Sequence, residues 1–379
     1  MVVVGTSCNY RGCSYFAFND METLMNISLI DSVSTQELTA LHSVSYPSNA
    51  HAVVTTAHPK IQSGYAIIAH LLIDQLVARN KEVLQSEAST GKSGLILASG
   101  NTYWSGYDLN RKRPANFPVL KPLALATTNI YAGRVAQHIG YTDYVSTDST
   151  SCVCAYNATF LAKALLDSNT LDRVLIIAVE DATSGDTIEF FSKYGGNISL
   201  ADEEAGKLPS AFDGTNTGFR VGNGAGMFLL DNKDNGIAQI DQVSMAAEKW
   251  SSPIGQDPAG TGYLKALSRI DTKGVRIIKT HGTGTPSNNI AEKVAIESTF
   301  DDFIATSYKP LIGHTMGANG AIELDLLVKD LHRGVLTGIH NRTVKDTRFI
   351  SEDTKIKDKT AICLGSSMGN GYAALKVSI

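Results

Sequence analysis

The sequence has little charge and no strong excess of either sign: 18% of its 379 residues are charged, 33 Lys and Arg against 37 Asp and Glu. A net charge of −4 gives no electrostatic case for a nucleic acid as the main partner, because phosphate backbones are held by a basic surplus. Cysteine is sparse. Cys8, Cys13, Cys152, Cys154 and Cys363 are an odd set, too thin for a disulfide scaffold, and they point to a reducing cytoplasm. Long apolar runs are missing as well. The most apolar helical stretch, Tyr65 to Ala78, is interrupted by His70 and Asp74 and falls short of the roughly 20 residues that span a bilayer, so a soluble protein without membrane contact is expected. Met1 to Gly5 lacks a basic region and a cleavage signal and reads as a first buried strand. With 43% hydrophobic residues the chain is not disordered, and its length allows about three quarters of the unfolded surface to be buried.

Short apolar runs alternate with amphipathic segments. Leu95–Ala98, Val174–Val179, Met227–Leu230, Val275–Ile278 and Ala361–Leu364 read as buried strands. Helical patterns occupy Ile61–Arg79, Ala124–Ile139, Cys154–Leu166, Ala291–Phe300 and Ala318–Leu331. The alternation indicates an α/β protein. No low-complexity linker and no composition break near residue 235 divides it, so two halves, 1–235 and 236–379, are expected to pack as one body. An internal echo supports this. Ser151 to Cys154 opens an apolar helix that leads to the strand Val174–Val179, and Gly313 to Gly317 opens another that leads to Ala361–Leu364.

Cys152 follows the small polar run Ser146 to Ser151 at a turn into a helix. The free N–H groups and positive dipole end there would lower the pKa of a thiol, although a small buried cysteine packed as a hydrophobe is the alternative. Cys154 is expected in the core. Thr280 to Pro286 places His281 among Gly and Thr after a strand: a ligand loop rich in hydroxyls, or an ordinary polar turn. Lys309 to Glu323 combines Lys309, His314 and small residues at a helix entry, which serves chemistry or tight helix packing. Cys152, His281 and His314 together suggest thiol-based acyl chemistry. A metal site is disfavoured, because catalytic zinc usually has three ligands with partly local spacing, and Cys8 and Cys13 find no second pair. Two decoys fall away. Thr90 to Ser93 ends like a phosphate-binding loop, but Ser86 stands where its first glycine would be. Gly222 to Gly226 leads directly into a strand rather than a helix.

These segments together resemble the β-ketoacyl synthases, condensing enzymes with the thiolase fold, from about residue 124 to the C-terminus. Thr150-Ser151-Cys152 resembles the nucleophile element, with Glu180 standing 28 residues later as its downstream acid. Asn129 to Arg134 is similar to the preceding helix. Ala211 to Asp213 and Gly218 to Gly226 resemble the central element, His281 to Pro286 the first histidine motif, and Lys309, His314 and Gly317 to Gly320 the second. A second histidine is characteristic of the elongating Cys-His-His branch.

The resemblance implies a layered αβαβα architecture of two pseudo-symmetric α/β halves, the first carrying the cysteine and the second both histidines. It implies Cys152 as acyl acceptor, His281 and His314 as stabilisers of an enolate, and Lys309 and Glu180 as their support. Thr283 and Thr285 would hold the phosphopantetheine arm, beside Phe219 and Ser366, with backbone N–H groups at Cys152 and near Ser366 forming an oxyanion hole. No resident cofactor or metal is implied, since the substrates ride on the phosphopantetheine of an acyl carrier protein. That carrier and a homodimeric or related heterodimeric subunit are the implied partners, with Arg111 to Arg113 a candidate docking patch. The chain also departs from the pattern. Asn223 and Asn289 stand where the family usually has acids, and Gly365 to Gly371 lacks the usual Phe. These departures raise a rival reading, a chain-length factor that shapes the pocket of a paired synthase.

Overall fold

The computed structural model describes residues 8–18, 68–100, 127–180, 182, 185–199, 201–202, 205–215, 217–232, 236–344 and 347–379. The first half supplies strands β1 (Cys8–Phe18), β2 (Ser93–Ala98), β3 (Tyr144–Asp148), β4 (Arg173–Glu180) and β5 (Asn223–Asp231). Its helices are α1 (Ile68–Ala88), α2 (Thr128–Ile139), α3 (Cys154–Asp167) and α4 (Gly185–Lys193). The second half supplies β6 (Ala238–Ala247), β7 (Ile277–Lys279), β8 (Ile304–Thr306), β9 (Val335–Leu336), β10 (Thr354–Lys355), β11 (Thr360–Ser367) and β12 (Gly371–Ser378). Its helices are α5 (Thr261–Leu267), α6 (Pro286–Thr299) and α7 (Asn319–Arg333), with a single helical turn at Lys309–Ile312.

Ten of these strands form one sheet in the order β3-β2-β4-β5-β1-β6-β12-β11-β7-β8. The order is a palindrome in kind. β3, β2 and β4 run parallel and β5 and β1 antiparallel; β8, β7 and β11 run parallel and β12 and β6 antiparallel. The halves meet where β1 pairs with β6.

Side-chain alternation shows why the body has five layers. On β4, Val174, Ile176 and Ala178 face one core, while Leu175, Ile177 and Val179 face another with Ile73 of α1 and Tyr131 of α2. On β11, Ala361 and Cys363 share the first of these cores, while Ile362 and Leu364 face a third with Tyr263 of α5 and Ile296 of α6. The shared core also holds Ala158 of α3 and Leu324 of α7, so these two helices are the middle layer, covered by strands from both halves. A strand buried on both faces needs an unbroken apolar run, which is what the sequence shows.

The middle helices begin alike. Ser151 (φ 56°) opens a 3₁₀ turn, Ser151–Val153, before α3, and Met316 (φ 42°) opens another, Met316–Ala318, before α7. Both non-glycine residues hold left-handed backbone, a strained state that needs surrounding structure to fix it. Cys154 Sγ donates to the Gly317 carbonyl at 3.3 Å and ties the two turns together. Helix α7 ends on Gly334 in the left-handed region, with His332 and Arg333 in its last turn opposing the dipole.

All five expected strand runs lie in strands, although β7 starts at Ile277 rather than Val275. The five expected helices are present with shifted ends, among them Pro286–Thr299 for 291–300; residues 61–67 and 124–126 lie outside the described residues. The expected strand at residues 1–5 and the Arg111 to Arg113 patch also lie outside them.

Candidate active site

The turns that open the middle helices place two of the candidate residues, Cys152 within the first and His314 just before the second. Cys152 sits in the 3₁₀ turn leading into α3, 5% exposed. Asp148, at the end of β3, shapes that turn by accepting the Thr150 amide (3.1 Å) and hydroxyl (2.6 Å) and the Asn157 side chain. Burial pushes the Cys152 thiol up to about 11, against the lowering pull of the Ser151 hydroxyl and the Lys309 charge. This corrects the expectation of a depressed pKa. The helix end is present, but desolvation of the buried anion outweighs it.

His314 is fixed by backbone on both sides, its N–H to the Arg220 carbonyl (2.7 Å) and its carbonyl to the Gly222 N–H (2.9 Å). Its Nδ1 accepts the Met316 N–H at 3.2 Å. For a neutral imidazole this places the proton on Nε2, which makes that atom a donor. The ring stands edge-on to Phe219 at 4.7 Å and to His281 at 5.5 Å. His281 heads the loop after β7. Glu292 of α6 grips this loop, accepting the amides of His281 and Gly282, and Asn288 braces Glu292 at 2.9 Å. Burial, reinforced by Lys309, holds both imidazoles well below their ordinary value of 6.5 and therefore neutral. His281 Nδ1 is buried with no hydrogen-bond partner.

Cys152, His281 and His314 line one cavity of ≈350 Å³ together with Thr283, Thr285, Phe219 and Ser366. The two threonine hydroxyls bond each other at 2.9 Å. Ser366 Oγ is held by Asn288 (3.3 Å) and Gln256 (3.2 Å). Met368, in the β11–β12 hairpin, packs against the cluster that contains Cys152 and Phe219. The hairpin is pinned by the Gly369 N–H on the Pro253 carbonyl (2.8 Å). Phe190, Phe191, Tyr194 and Ile254 add aromatic and aliphatic side chains to the lining.

Lys309 and Glu180 do not line the cavity. Lys309 Nζ donates to Glu323 Oε1 at 2.9 Å, and Glu180 Oε2 accepts the Gly100 and Gly317 N–H groups, each at 2.9 Å. Glu180 thus fixes the turn that follows His314 by its backbone. Sequence reasoning missed Lys279, Glu323 and Tyr156. Lys279 bonds Glu323 and also the Tyr156 hydroxyl at 2.9 Å, and all three side chains are buried. A lysine ending a buried strand two residues before His281 was the available signal. Asn223, flagged as a departure, accepts the Ala182 N–H at 2.8 Å through its side chain. Among the described residues, no group of three or more His, Cys, Asp or Glu is arranged to hold a metal, and no helix is long and apolar enough to cross a membrane.

Residues 34–235 match the family model "Beta-ketoacyl synthase, N-terminal domain", and residues 242–343 match "Beta-ketoacyl synthase, C-terminal domain". The chain belongs to the β-ketoacyl synthase family. The match starts at residue 34, well before residue 124, where the resemblance read from the motifs begins. Among curated relatives, the actinorhodin polyketide putative beta-ketoacyl synthase 1 of Streptomyces coelicolor is 23% identical over 270 residues, 65% of this chain and 57% of that protein. The 3-oxoacyl-[acyl-carrier-protein] synthase 2 of Synechocystis sp. is 25% identical over 276 residues, 67% of this chain and 63% of that protein. These matches span less than two thirds of either relative's length.

Two solved structures share the β-ketoacyl synthase fold. A type II polyketide ketosynthase in complex with its acyl-carrier protein, AntDE:AntF, superposes with a TM-score of 0.78 at 16% identity, covering 99% of each chain. The ketosynthase ApeO in complex with its chain length factor ApeC, from Xenorhabdus doucetiae, also gives 0.78, at 15% identity and covering 99% of this chain and 98% of that one. The fold is the α/β thiolase-like fold of this family.

Proposed function

We propose that the chain is a β-ketoacyl synthase that condenses an acyl group held on Cys152 with a malonyl unit on an acyl carrier protein. The observation that carries this reading is the convergence of Cys152, His281 and His314 on one cavity, with the His314 proton placed on Nε2. In the first step the Cys152 sulfur attacks the carrier thioester. The thiol proton passes to the departing carrier thiolate, and an acyl-Cys152 thioester remains. In the second, the malonyl thioester loses carbon dioxide. The electron pair left behind makes an enolate, whose oxygen the neutral imidazoles meet with N–H donors. The enolate carbon then attacks acyl-Cys152, and the sulfur leaves as a thiolate that takes up a proton from water. The chain is two carbons longer. Backbone N–H groups at Cys152 and near Ser366 would serve as the oxyanion donors. The hydroxyls of Thr283 and Thr285 suit the amides of a phosphopantetheine arm.

The chain-length-factor reading draws on the departures from the family pattern, Asn223 and Asn289 in place of acids and no Phe between Gly365 and Gly371. Incubation with acyl- and malonyl-loaded carrier proteins separates the two. A synthase releases carbon dioxide and a 3-ketoacyl product alone or with its partner subunit, and Cys152→Ala abolishes the product. A chain-length factor gives no product alone; paired with an active synthase, its Cys152→Ala variant still gives product, whose length changes when Met368 or Phe219 is altered.

A further inference from the structure

One buried amide joins the His281 loop to the C-terminal end of β11. Asn288, in the first turn of α6, is 1% exposed and does not itself line the cavity. Its Nδ2 donates to Glu292 Oε2 at 2.9 Å, and Glu292 in turn accepts the backbone amides of His281 and Gly282. Its Oδ1 accepts the Tyr263 hydroxyl of α5 (2.6 Å), the Ser366 hydroxyl of β11 (3.3 Å) and Gln256 Nε2 (3.4 Å). A carboxylate on one flank and hydroxyl donors on the other leave the amide one orientation. His281, Gln256 and Ser366 all line the cavity with Cys152.

We propose that Asn288 is a positioning residue that sets the spacing between His281 and the Ser366 end of β11, and so holds this imidazole where it meets the enolate oxygen. Three N–H groups converge on the Glu292 carboxylate, from His281, Gly282 and Asn288. Burial raises its pKa, and those donors oppose the rise. Two of them belong to the loop being held, whereas Asn288 ties the carboxylate to α5 and β11. Lys279 and Lys309 are the other charged groups that act on Glu292, and Tyr263 is kept neutral by burial. Without Asn288 the Tyr263 hydroxyl is buried without its acceptor and Glu292 loses a donor, so the loop and the strand are no longer fixed to each other.

The inference rests on the synthase reading, and its test reads the two apart. Asn288→Asp keeps the shape but sets a second carboxyl against Glu292. Two carboxyls this close share a proton. While it is held, the introduced O–H donates as the amide does; once it is lost, the two charges repel. Burial and the like charge raise the pH of that loss, and the two lysines lower it. In the full chain, malonyl decarboxylation by the variant is expected within about threefold of the unaltered chain at about pH 6, and about ten- to hundredfold lower by about pH 9. KM for malonyl-loaded carrier protein stays within about threefold, since the residues that meet the arm are untouched. Carbon-13 NMR of labelled histidines reads the joint without turnover: the His281 signal of the variant is expected to shift over the same pH range with the same midpoint. A rate ratio that is flat with pH, or a His281 signal that does not move, overturns the proposal. If this variant does not fold, Tyr263→Phe removes one donor from the amide and keeps the ring. Its kcat is expected to fall about threefold at unchanged KM, and an unchanged kcat overturns the proposal. An unaltered chain that takes no acyl group on Cys152, while the His281 signal still shifts in Asn288→Asp, would instead sink the synthase reading.

Discussion

At Cys152 two effects of the surroundings oppose each other. The turn into α3 brings a helix N-terminus to the sulfur, and Lys309 adds positive charge, but the sulfur is buried and desolvation prevails. The thiol is therefore a resting acid of pKa about 11 that gives up its proton only as it reacts. Alkylation of Cys152 by iodoacetamide is expected to quicken about tenfold per pH unit from pH 7 to 10 without levelling, since thiolate fraction limits the rate. A plateau near pH 7 to 8 would show that the helix end wins. Ser151 and Cys152 were legible as a nucleophile turn. The pKa was not, because burial depends on strands and helices from both halves.

Among the elements, the two 3₁₀ turns are the joint of the molecule. A Cβ on Gly317 would stand 2.5 Å from the Gly100 nitrogen, 2.8 Å from Glu180 Oε2 and 2.9 Å from Cys154 Sγ. Two of these neighbours are a backbone atom and a carboxylate fixed by two amides, so neither yields easily. Gly317→Ala is expected to lower stability by about 1–3 kcal/mol, seen as a fall in Tm, and to reduce acylation of Cys152 through displacement of the His314 turn. Gly284 is under similar constraint, at φ 73° with its Cβ position 2.2 Å from the Ser210 carbonyl. Strands β2, β4, β5 and β11 were legible because a strand covered on both faces is an uninterrupted apolar run. Strand β3, Tyr-Val-Ser-Thr-Asp at the sheet edge, and β6, only partly buried and broken by Gln239, Asp241 and Gln242, carry no such run and were passed over. The Lys279–Glu323–Lys309 cluster was hidden for a different reason: its members lie on three elements brought together only by the fold.

For the whole molecule, the palindromic strand order explains why one cysteine and two histidines meet. β3 delivers Cys152 to α3 as β8 delivers His314 to α7, and these helices pack as neighbours in the middle layer. The same burial makes stability pH-dependent. His281 and His314 have folded-state pKa values below the ordinary 6.5, so their contribution is fully present above about pH 6.5 and is lost as pH falls towards the folded values. In that window the unfolded chain binds protons that the folded chain does not, about 1.4 kcal/mol per pH unit for each histidine at most. Unfolding in urea between pH 6.5 and 5 is expected to show a shallower loss of stability in the double variant His281→Asn, His314→Asn. An unchanged slope would place the acid sensitivity elsewhere.

The central claim is that Cys152 accepts an acyl group, and intact-protein mass after incubation with an acyl-loaded carrier protein tests it most directly. The account predicts one added acyl mass on the unaltered chain, alone or with its partner subunit, and none on Cys152→Ala. No added mass on the unaltered chain under either condition, or the same added mass on the variant, would contradict it.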